Sequence, residues 1–316
     1  MADYTKLTTE EIKILTTSYN IGKLVSISPM PGGQANSSFK LSTSEDDFIL
    51  SVCDEKNFIE IDYLTQMLVY LELYDFPTSR LIKTRDKSCF IKYGNKPVFV
   101  KKYIEGEVSR TLNSSKLVRL GEVMAALHAV PPLGIMPKRF PYGMEYFNTI
   151  FETHMQNPYI DWLKQKNSFL KQSIDHEMDK GFVHGDLFWD NLLFLKDKLV
   201  AVLDFEEVCH YYKLFDLGMC AVGCCEKDGS FDMEKTASLL NGYQRHFVLR
   251  QDERKQLKIF IEYAAVAASS WRFHQYNIKY PDHHLAQSYL TLSSLADHIH
   301  GMGDNEFMAV FANPDG

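Results

Sequence analysis

Long apolar runs are missing from this chain. The longest, around "YAAVAASSW" (263–271), is too short to cross a bilayer core, so no membrane-spanning segment is expected. A basic excess is missing too. Against 34 Lys and Arg stand 41 Asp and Glu, a net charge of −7, which excludes general nucleic-acid binding because that requires a basic surface. Only six cysteines occur in 316 residues (Cys53, Cys89, Cys209, Cys220, Cys224 and Cys225), scattered through a chain long enough to build its own core. That excludes a disulfide framework. Cys220, Cys224 and Cys225 lack the second pair or the histidine spacing of a metal site, and their apolar, helically spaced surroundings read as buried thiols. The opening "MADYTKLTTEEIKIL" has no apolar stretch of the secretory kind, so the expected location is the cytoplasm. No internal repeat or low-complexity linker is present.

What is there describes an ordinary globular protein, 45% hydrophobic and 24% charged. The first hundred residues mix strands with two helices. "TTEEIKILTTSY" reads as a helix capped by Thr8 or Thr9. "LVSISPM", "NSSFKLST" and "DFILSVC" read as strands, as do "SCFIKY" and "KPVFVKKYI", and "NFIEIDYLTQMLVYLELY" has helical periodicity. From about Thr111 the chain turns helical, with periodic segments around 142–178, 231–249, 251–276 and 283–299. A β-rich island over 182–205 interrupts them. The expected architecture is α+β, with a small β-rich lobe over 1–104 and a larger helical lobe over 105–316 that meet near "YIEGEVS" (103–109).

The island carries the chemistry. In "HGDLFWDN" (184–191), Asp186 and Asn191 bracket a short loop. "NLLFLKDKLVAVLDF" then reads as a hairpin that ends with Asp204 emerging from the apolar run "LVAVL". Magnesium prefers hard oxygen donors and keeps several waters, so one carboxylate and one amide beside bound phosphates suffice. A second carboxylate is then free to orient a substrate hydroxyl and accept its proton. On this division Asp186 is the base, and Asn191 and Asp204 are the metal ligands. Each alone could be a turn cap or a loop acid; turns do not account for all three at these spacings.

"HGDLFWDN" followed by "LDFE" resembles the paired motifs of the aminoglycoside phosphotransferase and choline kinase family, relatives of the protein kinases, and fits both without a gap. The resemblance implies a protein-kinase-like two-lobed fold and an ATP- and Mg²⁺-dependent kinase for a small-molecule hydroxyl acceptor. It extends over nearly the whole chain. "LFDLG" (214–218) matches the family's acidic motif and implies that Asp216 braces the catalytic loop, with His184 structural. "PGGQANSSFKL" (31–41) stands at the phosphate-covering turn, which implies nucleotide contacts from Gly32, Gly33 and Asn36. "FVKKYIEGE" (99–107) resembles the hinge, with Lys101 and Tyr103 beside the adenine.

One position departs. Where many members carry a strand Lys that neutralises phosphates, this chain has Ser51, and Lys40 or Lys56 would have to serve instead. Bacterial homoserine kinases of this fold commonly carry a small hydroxyl residue there. "MADYT", "GGQANSSFKL" and "AAVAASSWRFHQY" (264–276) resemble that group as well. The resemblance implies homoserine as the acceptor, with Arg272 for its carboxylate and Glu206 or Glu207 for its ammonium. The other reading of Arg272 is a helix-surface ion pair. Choline or ethanolamine would favour an aromatic cage, for which Trp189 and "WRFHQY" are candidates. Hydroxylysine and aminoglycosides stay open as acceptors, and the missing Lys leaves room for a nucleotide-binding pseudokinase. The sequence gives no oligomeric state.

Overall fold

Helix α1 (Thr9–Thr16) starts where Thr8 caps it: the Thr8 hydroxyl accepts the Glu11 amide, and the Glu11 carboxylate accepts the Thr8 amide. It opens the first of two units in the computed structural model, which describes residues 5–30, 36–227 and 229–312. One unit is Met1–Gly106 with Val200–Phe205, and the other is Glu107–Leu199 with Glu206–Gly316.

In the first unit α1 is followed by β1 (Leu24–Pro29), β2 (Asn36–Thr43), β3 (Asp47–Cys53), α2 (Phe58–Glu72), β4 (Leu81–Ile82), β5 (Ile91–Tyr93) and β6 (Lys96–Lys102). The strands form one antiparallel sheet in the order β1-β2-β3-β6-β4, with β5 also on β6. Side chains alternate across a pleated strand. Leu41, Phe48, Leu50, Val52, Val98 and Val100 therefore share one face, and they close a core with Ile12, Leu15 and Tyr19. The register pairs Ser38 with Ser51, Lys40 with Ile49, and Ile49 with Lys101, so Ser38, Lys40, Ser51 and Lys101 occupy the opposite face. Val200–Phe205 belong to this unit because the Val202 amide donates to the Pro77 carbonyl at 2.8 Å. The Phe205 ring also meets Phe76 edge-on at 5.9 Å.

The second unit contains β7 (Glu107–Val108), α3 (Ser114–Ala129), α4 (Phe147–Phe151), α5 (Pro158–Ser173), β8 (Lys180–Val183) and β9 (Leu192–Leu195). The chain then turns at Lys196 into β10 (Lys198–Val202), and returns as β11 (Cys209–Tyr212), α6 (Lys213–Cys224), β12 (Glu226–Lys227), β13 (Ser230–Phe231) and α7 (Met233–Gln244). Helices α8 (Gln251–His274), α9 (Tyr289–Gly301) and α10 (Asp304–Phe307) complete it. Instead of the continuous helix expected over 142–178, two helices are present. Asn157 caps α5 and Pro158 takes its first position, where a missing N–H costs nothing, so the chain restarts there. At the centre lie α6, buried along Leu214–Cys224, and the Ala264–Ala267 stretch of α8, which is fully buried. The cysteines of α6 and its end are buried thiols, and burial pushes Cys220 and Cys225 well above the usual range. Among the described residues, no helix is long and apolar enough to cross a membrane.

Helices α3 and α7 cross at glycines with their backbones almost touching. A Cβ on Gly121 would lie 2.1 Å from the Leu239 carbonyl oxygen, and one on Gly242 would lie 1.9 Å from that of Val118. Backbone cannot yield as a side-chain tip can. Gly242→Ala is therefore expected to destabilise by about 2 kcal/mol through overpacking. Gly301→Ala, in open space at the end of α9, should be neutral or stabilising by up to about 1 kcal/mol. Urea denaturation of the two variants checks the contrast, and equal midpoints would contradict it.

Candidate active site

The loop that follows β8 is shaped by one buried carboxylate. Strand β8 pairs with β11, Val183 opposite Cys209, and the chain leaves it at His184. Asp216, in the first turn of α6, then receives the His184 amide at 2.9 Å on Oδ2 and the Gly185 amide at 2.8 Å on Oδ1. Nε2 of His128, near the end of α3, lies 3.2 Å from Oδ2, and His128 Nδ1 lies 2.9 Å from the Tyr243 hydroxyl on α7. Burial by itself would raise the Asp216 pKa. The hydrogen bond and charge of His128, with His184 and the Gly185 amide, outweigh it and hold the carboxyl below its ordinary value.

Gly185 takes φ +86°, a conformation costly for any residue with a Cβ, and this turn directs Asp186 out of the strand. The Asp186 amide donates to His184 Nδ1 at 3.2 Å, so the imidazole accepts on that nitrogen. Asn191, closing the short helical turn Trp189–Asn191, donates through Nδ2 to the Asp186 carbonyl at 2.8 Å and to its Oδ2 at 3.2 Å. Acid and amide are thus brought together. Both amide hydrogens being spent on Asp186, Asn191 Oδ1 is the oxygen it has to offer, a hard donor of the kind magnesium takes. Leu187 points inward, almost fully buried, and its carbonyl faces the Cys224 thiol of α6 at 3.9 Å. The apolar residues of the loop anchor it; the polar ones are presented.

Arg272, near the end of α8, donates from Nη1 to the Ser288 carbonyl at 3.2 Å and forms no ion pair among the described residues. Burial lowers its pKa, against the pull of Tyr276, Asp190 and Asp186. The helix-surface ion pair is therefore not what it makes. In the first unit, Asp204 lies two residues beyond β10, exposed, at φ +62°.

Residues 26–256 match the phosphotransferase enzyme family. The chain belongs to that family. It is a phosphotransferase acting on a hydroxyl acceptor. The homoserine kinase of Nitrobacter winogradskyi is 26% identical over 274 residues, 84% of either chain. Among solved structures, an amicoumacin kinase in complex with AMP-PNP and Ca²⁺ superposes with a TM-score of 0.72 at 10% identity, covering 95% of this chain and 97% of the other. A choline/ethanolamine kinase family protein from Mesorhizobium loti gives 0.72 at 14%, covering 96% and 99%. These likenesses identify the protein-kinase-like fold, with its β-rich and its helical unit.

The phosphotransferase's other candidate residues are distributed as follows. Gly32 and Gly33 lie outside the described residues. Asn36 opens β2 opposite Cys53. Ser51 is buried with its hydroxyl 3.1 Å from that of Ser38. Lys40, on the Ser51 face, pairs with Asp47 at 2.8 Å and stands over the Tyr103 ring at 3.8 Å. Lys56 lies beyond β3, half-buried. The Tyr103 amide donates to the Asp47 carbonyl at 3.0 Å, and Lys101 pairs with Ile49 and Leu81. Trp189 stacks on the Arg110 guanidinium at 6.0 Å. Glu206 and Glu207 sit half-buried on the turn Phe205–Glu207. Tyr142 donates to Glu207 Oε1 at 3.2 Å. Sequence reasoning missed Tyr142, Tyr146 and Tyr243, and it marked His128 only as the end of a helix like the family's, with no role. Only the Tyr142–Tyr146 spacing of four, in a stretch read as helix, hinted at a shared face.

Asp216→Asn keeps the shape but replaces one acceptor oxygen with a donor that faces a buried amide. A loss of about 3 kcal/mol is expected. Because the folded-state pKa is depressed, this stabilisation is complete above the ordinary carboxylate range near pH ~4 and is lost as pH falls through the depressed value. Urea titrations of both proteins should show a gap at neutral pH that narrows only in strong acid; a gap independent of pH would refute the charge argument.

Proposed function

We propose that this phosphotransferase moves the γ-phosphate of ATP to the side-chain hydroxyl of L-homoserine, giving O-phosphohomoserine and ADP. What carries the reading is that Asp186, on a loop pinned by Asp216, lies within electrostatic reach of Arg272, a half-buried guanidinium that feels the Asp186 and Asp190 charges. An acceptor with a carboxylate supplies Arg272 with the partner that a desolvated cation needs. The homoserine kinase likeness along 84% of the chain supports the same acceptor.

In this reading Asp186 holds the acceptor hydroxyl and takes its proton as the oxygen bonds to the γ-phosphorus and the bond to ADP breaks. Asn191 and Asp204 are the oxygens that would hold Mg²⁺, which when bound offsets phosphate charge. Asn191 also keeps the Asp186 carboxylate turned toward one side of the loop. Asn36, Ser51, Lys101 and Tyr103, with Gly32 and Gly33, are assigned to the nucleotide. Little covalent chemistry falls to the protein; orientation and fixed charges carry the rate. A second acceptor class, choline or ethanolamine, is favoured by the rings around Trp271, which suit an ammonium group.

ADP release with Mg-ATP across homoserine, choline, ethanolamine, hydroxylysine and several aminoglycosides tests the assignment. Turnover selective for homoserine is expected, and selectivity for another acceptor would overturn the substrate but leave the chemistry. Asp186→Asn should lower kcat by about 10²–10⁴ while nucleotide still binds; a variant that keeps most of its turnover removes Asp186 from the base role. Asp204→Ala should weaken Mg²⁺-dependent nucleotide binding, and an unchanged metal titration would refute its part as a ligand.

A further inference from the structure

The sheet face that closes the core of the first unit does not end in apolar residues. Alternation puts Ser37 in line with Phe39 and Leu41 on β2, and Lys96 in line with Val98 and Val100 on β6. It puts Asp54, just beyond β3, in line with Phe48, Leu50 and Val52. These three polar residues close the rows, and the Asp54 carboxylate joins them. Its Oδ2 accepts the Ser37 hydroxyl at 2.6 Å. Its Oδ1 accepts the Lys96 ammonium at 2.7 Å, the Thr5 hydroxyl at 2.5 Å and the Thr5 amide at 3.2 Å. Lys96 also donates to the Thr5 hydroxyl at 2.8 Å.

The Asp54 side chain is only 2% exposed. Burial by itself would raise its pKa, but the bonds from Lys96, Ser37 and Thr5 outweigh it and hold the carboxyl below its ordinary value. Stability alone does not call for such a group, because apolar residues of similar size in place of a buried ion pair are often neutral or stabilising. What the ionised carboxylate adds is direction, since charge-assisted bonds are short and fix geometry. Its bonds reach three separate places: the start of β2, the start of β6 and the segment before α1. A second tie runs beside them, the Tyr93 hydroxyl of β5 donating to Glu11 of α1 at 2.6 Å.

Asn36 precedes Ser37 on β2 and so stands on the opposite face, the one that carries Ser38, Lys40, Ser51 and Lys101. A strand end held by ladder bonds alone frays; one whose next side chain is bonded to a buried carboxylate is held in place. We infer that Asp54 is a positioning residue for the nucleotide: it holds Ser37 from the core side and thereby fixes Asn36 on the other, with Lys96 and Thr5 completing the joint. The inference rests on the phosphotransferase reading above, in which Asn36 and Ser51 meet the nucleotide.

Titration calorimetry of the full chain with Mg-ATP tests the role. Ser37→Thr and Ser37→Val share one branched shape and differ in the hydroxyl. The first should bind within about twofold of the parent, and the second about 10-fold more weakly. Asp54→Asn should weaken binding at least as much, and should raise the KM for ATP with little change in kcat at saturating ATP. Asp54→Leu combined with Lys96→Met, an apolar replacement of the pair, should melt near the parent temperature and still bind about 10-fold more weakly, which separates position from stability. Thermal melts confirm that each variant is folded. Equal affinities for the two Ser37 variants, a folded apolar double variant with the parent's affinity, or an Asp54→Asn effect on kcat alone overturns the role of Asp54 and leaves the phosphotransferase reading standing. A parent that binds no Mg-ATP overturns both.

Discussion

The geometry of the loop after β8 depends on one buried anion. Asp216 accepts two consecutive backbone amides and faces a histidine, so every oxygen of the carboxylate is engaged at a place with no access to water. A charge in such a place is tolerated only when its surroundings are complete, and the completeness comes from elsewhere in the fold. Helix α3 contributes His128, α7 contributes the tyrosine that orients it, and α6 contributes the carboxylate itself. The loop is a local structure whose shape is set by three helices distant in sequence.

This arrangement separates holding from acting. Leu187 anchors the loop by burial, the amides of His184 and Gly185 fix its path, and Asp186 is left with a backbone partner on one side and Asn191 on the other. Glu207 and Arg272 stand on the same unit, Glu207 accepting the Tyr142 hydroxyl and Arg272 donating to the Ser288 carbonyl from α8.

Much of this could be read from the sequence because local chemistry decided it. Thr8 and Asn57 announce their helices through capping boxes that depend on four residues each. The alternation in β2, β3 and β6 is clear because one face of the sheet is buried. Asp186, Asn191 and Asp204 stood out by spacing alone. The break between α4 and α5 was hidden, since apolar periodicity continues across it and only Pro158 marks the restart. The partners of His128, Tyr243, Tyr142 and Tyr146 were hidden for a different reason. Each acquires its partner across a long stretch of chain, 115 residues for His128 and Tyr243 and 65 for Tyr142 and Glu207, and a single sequence carries no sign of such a pairing. Ser51 departs from the strand Lys of many members, and it is a buried hydroxyl 3.1 Å from that of Ser38 across the strand pair.

The backbone at Asp204 has a consequence for how such a chain can change over time. Left-handed φ costs most side chains roughly 1–2 kcal/mol, while Gly, Asn and Asp occupy it cheaply. Drift at this position therefore has two easy exits, Asn and Gly, and both would be tolerated by the bend while discarding the charge. The conformation at this position does not by itself select for the charge. On the metal-binding role proposed for Asp204, one such substitution would remove a ligand oxygen or its charge while the bend itself remained allowed.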